Sequence, residues 1–372
     1  MKKILYHIYA LFFYVYSLAN ININQTTFIM THDSSINGNI MKMNAEIKRH
    51  QPNHICKFIT RDDLNSTNFI RKIYAKIKFI FITPYYLATS KTIFLDNVFL
   101  PMAYMKFKKD VNVIQLWHGC NTIKKFGQLS NKGQTKYLEK KANSRYTHVM
   151  VSSKKMINLH KEAFGVDKKI IYPLGLPRLD LFFNTQEITK EKNEFYVQYP
   201  FLKGKNIILY APTFRDNRID KFDYNMNLCE VVQELPDNYI LINKFHPFVN
   251  ENYGKIEGER MIDLSDYEDL SRLLLISDIL ISDYSSIVFE YNLLNKPIIF
   301  YAYDKMEYEK HIRGFYRDYD ESIKEMGQII SDKKDLSKEI LKKTFKNNYD
   351  ISSYIDFQDS KSTQRIYEKI YK

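Results

Sequence analysis

Short apolar runs recur along the chain, separated by polar loops and amphipathic segments. Runs of roughly four to seven mostly apolar residues are typical of strands buried on both faces, whereas stretches such as residues 39–50 have the spacing of helices. This alternation predicts an α/β fold with two Rossmann-like, doubly wound parallel sheets. The predicted strands cover residues 26–31, 55–60, 91–96, 111–117, 147–152, 206–210, 239–243, 278–282 and 298–301.

The predicted strands form two groups on either side of a polar stretch at residues 184–205. At 372 residues, the chain has room for two domains of ordinary size. The sequence therefore predicts an N-terminal domain over residues 25–185, a C-terminal domain over residues 186–330, and a helical tail over residues 331–372.

Two segments of the N-terminal half are rich in aromatic side chains. Residues 4–19 form an apolar run of about 16 residues, shorter than the ~20 that cross a bilayer, so we predict a membrane-interfacial helix over residues 1–24. Packing of this helix on the domain stays open, and His7 disfavours a cleaved signal peptide. Residues 69–87 mix basic and aromatic side chains, which predicts either a second membrane contact or an amphipathic helix packed on the sheet.

Positive charge is concentrated in the first half of the chain. The net charge is +12; residues 1–190 carry 29 Lys and Arg against 11 Asp and Glu, and residues 191–372 carry 26 against 32. This asymmetry predicts that the first half faces an anionic membrane surface or a polyphosphate polymer, with a lysine-rich soluble surface as the alternative. Nucleic acid is disfavoured, because no recognised binding motif is present. Three scattered cysteines indicate a reducing compartment.

Five polar motifs accompany these strands, and two of them centre on a histidine. His118 ends the motif at residues 111–119, and His246 belongs to the motif at residues 239–248. Ligands of such sheets bind at the carboxyl ends of the strands, so the motifs are expected to share one site. Together with residues 175–182, 207–215 and 281–291, and in this order, they resemble the CDP-glycerol glycerophosphotransferase family, which builds teichoic acids and related capsule polymers.

The resemblance implies a GT-B-like architecture, in which the two domains face each other across a cleft. It also implies a transferase that moves glycerol phosphate from CDP-glycerol to a lipid-linked acceptor and releases CMP at the cytoplasmic face of the membrane. The N-terminal domain would meet acceptor and membrane, and the C-terminal domain would bind the donor. A CDP-ribitol donor, or a nucleotide-sugar glycosyltransferase of the same fold, is the alternative. The lack of a long N-terminal extension favours a priming, short-chain or capsule enzyme.

The chemistry of the motif residues suggests their roles. An imidazole suits removal of the proton from an acceptor hydroxyl, and the resemblance places His118 and His246 at the two functional histidine positions of the family. A helix that begins near Ser285 offers free N–H groups to a phosphate, and the Arg215 guanidinium binds phosphate oxygens in pairs. The donor diphosphate is therefore expected to contact Thr213, Arg215, Lys244, His246, Ser285 and Ser286.

Other motif residues are assigned to the remainder of the substrates. Glu290 is predicted to bind ribose hydroxyls, with an exposed surface position as the alternative. Lys124 is predicted to hold the anionic acceptor, with a solvated basic face as the alternative. Gly119 and Asp283 complete the predicted substrate-binding set.

Further residues flank these motifs. His32 and Asp33 end the first predicted strand and are expected to face the acceptor, whereas Arg178 and Asp180 are predicted to lock the end of the first domain. No Asp-x-Asp pair falls within the core of the motifs, so the sequence predicts neither a metal site nor a cofactor.

Overall fold

The computed structural model describes residues 2–61, 69–213, 215, 227–245, 255–342 and 349–372. The chain groups into two compact units. Unit 1 consists of Met1–His118, Phe126–Asp180 and Ser352–Lys372, and unit 2 consists of Gly119–Lys125 and Leu181–Ile351. The predicted domain boundaries at residues 185 and 330 stay predictions beside this grouping.

The strands form two parallel sheets, as the sequence predicts. In chain order they are β1 (Asn22–Met30), β2 (Ile55–Thr60), β3 (Ser90–Leu95), β4 (Asn112–Gln115), β5 (His148–Met150), β6 (Ile171–Tyr172), β7 (Asn206–Tyr210), β8 (Tyr239–Asn243), β9 (Met261–Asp263), β10 (Ile279–Ser282), β11 (Ile298–Tyr301) and β12 (Gln328–Ile330). The sheet orders are β2-β1-β3-β4-β5-β6 and β12-β11-β10-β7-β8-β9. The short strands β6, β9 and β12 were not predicted.

Helices connect the strands in both units. They are α1 (Lys2–Tyr16), α2 (Asn39–His50), α3 (Phe69–Ile77), α4 (Thr83–Thr89), α5 (Gly133–Asn143), α6 (Ile157–Phe164), α7 (Thr185–Gln198), α8 (Cys229–Gln233), α9 (Leu270–Ile276), α10 (Ile287–Tyr291), α11 (Lys305–Glu307), α12 (Tyr319–Ile323), α13 (Leu336–Lys342) and α14 (Ser362–Tyr371).

In each sheet, successive strands are added first on one side of the starting strand and then on its other side. We call the position where this order reverses the switch point. In unit 1 this point lies between β1 and β3, and in unit 2 it lies between β7 and β10. Loops that leave neighbouring strands there run to opposite faces of the sheet, so a crevice opens at their carboxyl ends. The predicted motifs at residues 207–215 and 281–291 follow β7 and β10, and His32 and Asp96 follow β1 and β3.

The N-terminal helix α1 packs on unit 1 through one face. The Tyr9 hydroxyl lies 2.7 Å from the Thr83 hydroxyl, and the Phe13 ring contacts Phe107. On another face Ile4 and Leu11 are 66% and 61% exposed. Packing on the domain, which the sequence left open, is therefore observed, and contact with a membrane stays a prediction. Among the described residues, no helix is both long and apolar enough to span a membrane.

The predicted helix at residues 69–87 forms as α3, a π-helical turn at Lys78–Ile82, and α4. Phe79 and Leu87 are buried in unit 1, whereas Tyr74, Phe81 and Tyr85 are exposed. This segment therefore packs on the unit and also presents aromatic side chains to solvent.

The C-terminal helix α14 returns to unit 1. The Asp180 carboxylate accepts hydrogen bonds from the backbone N–H groups of Ser362 and Thr363, at the start of this helix. An acceptor there satisfies N–H groups that have no partner within the helix. The locking role predicted for Asp180 agrees with these bonds.

Candidate functional site

The turn that carries His118 has an unusual backbone. It follows β4, and Trp117 has a φ of +57°, which is rare for a bulky side chain. The Gln115 side chain accepts a hydrogen bond from the Trp117 N–H at 2.8 Å, and the Asn39 amide donates to the Trp117 carbonyl at 2.9 Å. Such backbone persists only where the surroundings hold it, and these bonds supply that hold.

The orientation of the His118 imidazole is set by a backbone carbonyl. Nδ1 lies 3.1 Å from the Asp96 carbonyl oxygen, which can only accept a hydrogen bond. Nδ1 of the neutral ring therefore carries the proton, and Nε2 carries the lone pair. This tautomer presents Nε2 as the basic atom, as a general base at this position requires.

Asp96 also organises the loop that follows β1. Its carboxylate accepts hydrogen bonds from the N–H groups of Thr31, His32 and Asp33 at 2.9–3.2 Å. Burial raises the pKa of Asp96 to about 6, although these backbone bonds oppose the increase. The sequence prediction missed Asp96, although the residue stands at the end of a predicted strand.

Two further side chains complete the His118 neighbourhood. The His32 ring stacks on the His118 ring with centroids 3.7 Å apart and planes 3° apart. Arg178 Nη1 donates to the His118 carbonyl at 3.2 Å and lies 3.6 Å from the Asp33 carboxylate. The structure thus brings together His118, His32 and Asp33, all predicted from the sequence, and places Arg178 behind them as a structural support.

Asn39 links these parts and was missed by the sequence prediction. It is buried at the start of α2. Its side-chain NH2 donates to the Trp117 carbonyl, and its side-chain oxygen accepts a hydrogen bond from the backbone N–H of Arg178 at 2.9 Å. No pattern along the chain signals this role, because the bond to Arg178 spans 139 residues.

In unit 2, the Arg215 guanidinium lies between two carboxylates. It is 2.8 Å from Asp283 and 2.7 Å from Asp304, and it also donates to the Thr213 carbonyl. Burial alone would lower the pKa of Arg215, but the two carboxylates more than offset this and raise the pKa. We call Arg215, Asp283 and Asp304 the Arg215 cluster. The predicted contact of Arg215 with donor phosphate stays a prediction.

The Arg215 cluster holds the loop that follows β10. The Asp283 carboxylate accepts the N–H groups of Thr213 and Tyr284 at 2.8 Å and 2.5 Å. The Tyr284 hydroxyl donates to Asp304 at 2.9 Å, and its ring faces the Arg215 guanidinium at 5.0 Å. Ion pairs and backbone hydrogen bonds therefore hold together the two loops that follow β7 and β10.

Ser285 and Ser286 follow in that loop. Ser286 occupies the position before α10 without a side-chain capping bond, and Ser285 Oγ lies 3.5 Å from the Ile287 N–H, a weak contact. A Cβ atom added to Gly119 would lie 3.2 Å from Ser286 Oγ, so the absence of a side chain at Gly119 permits this approach. Glu290 is 1% exposed, so the alternative of an exposed surface position is wrong.

The remaining predicted residues are placed as follows. Lys244 Nζ donates to the carbonyls of Ser265 and Tyr267 at 2.7 Å and 2.6 Å. Lys124 is half-buried and pairs through its backbone with Phe315 in unit 2. His246 lies outside the described residues, so its predicted role stays a prediction. Within the ranges that the structure describes, no group of three or more His, Cys, Asp or Glu side chains is arranged to hold a metal ion.

Comparison with known proteins decides the family. The sequence model of CDP-glycerol:poly(glycerophosphate) glycerophosphotransferases matches residues 11–372. The chain belongs to this family. The resemblance drawn from the motifs is thereby confirmed, and the match extends beyond the motifs to both units.

Several relatives of the chain are teichoic acid enzymes. The chain is 33% identical, over 96% of its length, to the teichoic acid poly(ribitol-phosphate) polymerase of Bacillus spizizenii, and it spans 57% of that relative. It is 34% identical, over 77% of its length, to a teichoic acid ribitol-phosphate primase of the same species, and spans 76% of it. A teichoic acid glycerol-phosphate primase of Bacillus subtilis is 35% identical over 63% of the chain, which spans 61% of that relative.

Solved structures of other proteins share the fold of this chain. The wall teichoic acid polymerase TagF, in a form soaked with CDPG, matches with a TM-score of 0.79 at 22% identity, over 99% of this chain and 93% of that chain. A UDP-GlcNAc 2-epimerase from Methanocaldococcus jannaschii matches with a TM-score of 0.61 at 11% identity, over 93% of this chain and 99% of that chain. Both likenesses show an architecture of two parallel-sheet α/β domains.

Proposed function

We propose that the protein transfers an alditol phosphate from a CDP-alditol to a lipid-linked acceptor and releases CMP, in the synthesis of a teichoic acid-like or capsule polymer. Glycerol phosphate is the leading donor group, in keeping with the family description. Ribitol phosphate is the second candidate, because relatives that cover much of the chain are ribitol-phosphate enzymes. A GT-B-like cleft between the two domains is part of this proposal.

The observation that carries the proposal is the hydrogen bond from His118 Nδ1 to the Asp96 carbonyl. It leaves Nε2 to accept the proton of an acceptor hydroxyl while the hydroxyl oxygen attacks the β-phosphorus of the donor. The bond from that phosphorus to the oxygen of CMP then breaks, and the His118 imidazolium returns its proton to solvent. A base positioned in this way contributes ~10²–10⁴-fold to the rate.

The loops of unit 2 are proposed to bind the donor. Ser285 and Ser286 offer hydroxyls at the carboxyl end of β10, and Lys244 and His246 follow β8. The Arg215 cluster carries two carboxylates for one guanidinium, so we assign Arg215 to fixing the Thr213 and Asp283 loops instead of neutralising the diphosphate directly. The buried Glu290 is proposed to bind the ribose, because hydroxyls can donate to its carboxylate without adding charge.

The acceptor side of the proposal includes peripheral contact with the membrane. The rings of Phe12 and Phe81, and those of Tyr16 and Tyr85, lie 4.6 Å and 5.4 Å apart, so α1 and the segment from α3 to α4 form one surface. Large apolar side chains are exposed along it, and basic residues flank them. Its exposed members are Ile4, Ile8, Leu11, Val15, Ile73, Tyr74, Ile77, Phe81 and Tyr85.

The membrane contact is tested by replacing an exposed apolar side chain. Leu11→Glu should reduce co-sedimentation with vesicles of anionic lipid, because a carboxylate is repelled by the lipid and is costly to bury among acyl chains. Val197→Glu is the matched control, since Val197 is 83% exposed on α7 of unit 2. Equal sedimentation of both variants and the unaltered protein would contradict the contact.

The reaction is tested by product release from a panel of donors. The protein should release CMP from CDP-glycerol or CDP-ribitol in the presence of a lipid-linked acceptor, and release should persist with EDTA. UDP-sugars should give no UDP. Release of UDP would favour the glycosyltransferase alternative, and absence of turnover with every donor would contradict the proposed reaction.

A further inference from the structure

His32 has a geometric relation to His118 that its sequence position does not explain. The loops that carry the two residues follow β1 and β4, which lie on either side of β3 in the sheet. Asp96, at the end of β3, binds both loops: its carboxylate accepts the His32 N–H, and its carbonyl oxygen accepts Nδ1 of His118. One residue therefore sets the two imidazoles relative to each other.

The resulting contact is a nearly parallel stack. The ring centroids are 3.7 Å apart and the planes differ by 3°. The Trp117 ring contacts His118 as well, with centroids 3.9 Å apart and planes 32° apart. Because two aromatic rings adjoin it, the His118 ring has few alternative orientations, and its Nε2 atom keeps a defined direction.

Stacking also couples the charges of the two rings. Two imidazolium ions at this separation repel each other, so a proton on either ring disfavours a proton on the other. Among the described residues, the charged groups bonded to these loops include the Asp96 carboxylate and the Asp33–Arg178 ion pair. Asp33 and Arg178 largely offset each other, whereas Asp96 attracts a proton towards the pair. A proton on His32 would oppose that attraction at His118.

We propose that His32 is a positioning residue, which fixes the ring plane of His118 and, when it carries a proton itself, disfavours a proton on His118. This inference rests on the proposed function of His118 as the general base. It assigns to His32 a role that acts through another side chain, in contrast to the acceptor contact expected from the sequence.

Two substitutions separate the two parts of this role. His32→Phe keeps a ring that can stack but removes the second titrating group. His32→Ala removes both. His50→Phe is the matched control, because His50 is another exposed histidine of unit 1 whose ring stacks on an aromatic ring, that of Tyr367, at 4.4 Å.

Rates of CMP release measured against pH give the first readout. In His32→Phe, kcat at pH 8 should stay within about threefold of the unaltered protein, because the stack is kept. The acidic limb of its pH–rate profile should shift to higher pH by roughly half to one unit, because His118 then gains a proton more readily. His32→Ala should lose about tenfold or more in kcat with little change in KM. His50→Phe should change neither.

Titration of the His118 ring by NMR gives a second readout that needs no turnover. Its midpoint should move to higher pH in His32→Phe and stay in place in His50→Phe. Unchanged midpoints in His32→Phe would overturn the inference, whether or not the protein releases CMP. A raised KM with unchanged kcat and unchanged midpoint would overturn it too, and would show that His32 contacts substrate instead. Failure of CMP release by the unaltered protein would count against the proposed function alone.

Discussion

The His118 turn and the Arg215 cluster both lie at the carboxyl ends of parallel strands but use polar groups in opposite ways. In unit 1, backbone N–H groups bind Asp96 and a backbone carbonyl binds His118, and the imidazole stays half-exposed. In unit 2, Arg215 is 5% exposed and is bound by the carboxylates of Asp283 and Asp304. One place presents a partly exposed imidazole, and the other uses a cation to join two loops.

This difference shows what decides the role of a residue at a strand end. Both His118 and Arg215 belong to family motifs, and both residue types bind or transform phosphates. Their roles differ because of the partners that distant segments provide. At His118 a backbone carbonyl orients a titratable ring, whereas at Arg215 two buried carboxylates surround a cation and hold it in place.

The largest effect on stability is expected for the Arg215 cluster. Arg215→Met leaves the Asp283 and Asp304 carboxylates buried without their cation, so the free energy of unfolding in urea should fall by about 3–5 kcal/mol. Lys324→Met is the control in the same unit, because Lys324 and its partner Glu321 are solvent-exposed, and it should leave the free energy of unfolding nearly unchanged. Similar losses in both variants would mean that the cluster does not hold unit 2 together.

Asp96 should give unit 1 a pH-dependent stability of a particular sign. The pKa of Asp96 is raised from 3.8 to about 6 in the folded protein, so folding favours its protonated form. The stabilisation that this provides is complete below pH 3.8 and is lost as pH rises through about 6. The difference in unfolding free energy between the unaltered protein and Asp96→Asn should therefore decline by up to about 3 kcal/mol over this range. A constant or rising difference would contradict the assignment.

Asn39 should matter to both stability and rate, because it holds the turn of His118. Asn39→Ala removes this partner from the partly buried Trp117 carbonyl and from the buried backbone N–H of Arg178, and it should cost about 1–3 kcal/mol in unfolding free energy. It should also lower kcat by about tenfold or more at nearly constant KM, because His118 is no longer positioned. A rise in KM alone would show that Asn39 acts on substrate binding.

Gly119 should have the smallest effect. A Cβ atom there would lie 3.2 Å from Ser286 Oγ and 3.3 Å from the Asn121 carbonyl, so these neighbours must shift slightly. Gly119→Ala should cost about 1 kcal/mol or less in stability and raise KM for the CDP-alditol a few-fold. Gly258→Ala is the control, since its added Cβ would meet neighbours at ordinary distances of 3.7–3.8 Å. An unchanged KM in Gly119→Ala would show that the close approach of Gly119 and Ser286 does not affect donor binding.

The sequence predicts the inner strands well, because they are continuous apolar runs buried on both faces. Strands β7, β8 and β11 begin and end at the predicted residues. The edge strands β6, β9 and β12 were missed, because two or three residues are too few to show a pattern. His118, the serines and Glu290 could be selected as site residues from motifs and residue chemistry.

What the sequence could not predict is how distant side chains pair. No local pattern indicates that Arg215 pairs with Asp304, which lies 89 residues away along the chain. Asn39 reads as an ordinary first residue of a helix, yet it bonds to Trp117 across 78 residues. In both cases the decisive contact forms only when separate loops meet at the end of a sheet, and no local spacing records it.

The role of His118 as the base is best tested by a single turnover of His118→Ala with bound CDP-glycerol, or with CDP-ribitol if that is the donor that the unaltered protein turns over. We expect the rate of CMP release to fall by ~10²–10⁴-fold while the donor Kd changes by less than about twofold. That result would place His118 in the chemical step and outside donor binding. CMP release at the unaltered rate would contradict its role as the base, and weakened donor binding with an unchanged rate would show that His118 acts as a ligand of the donor.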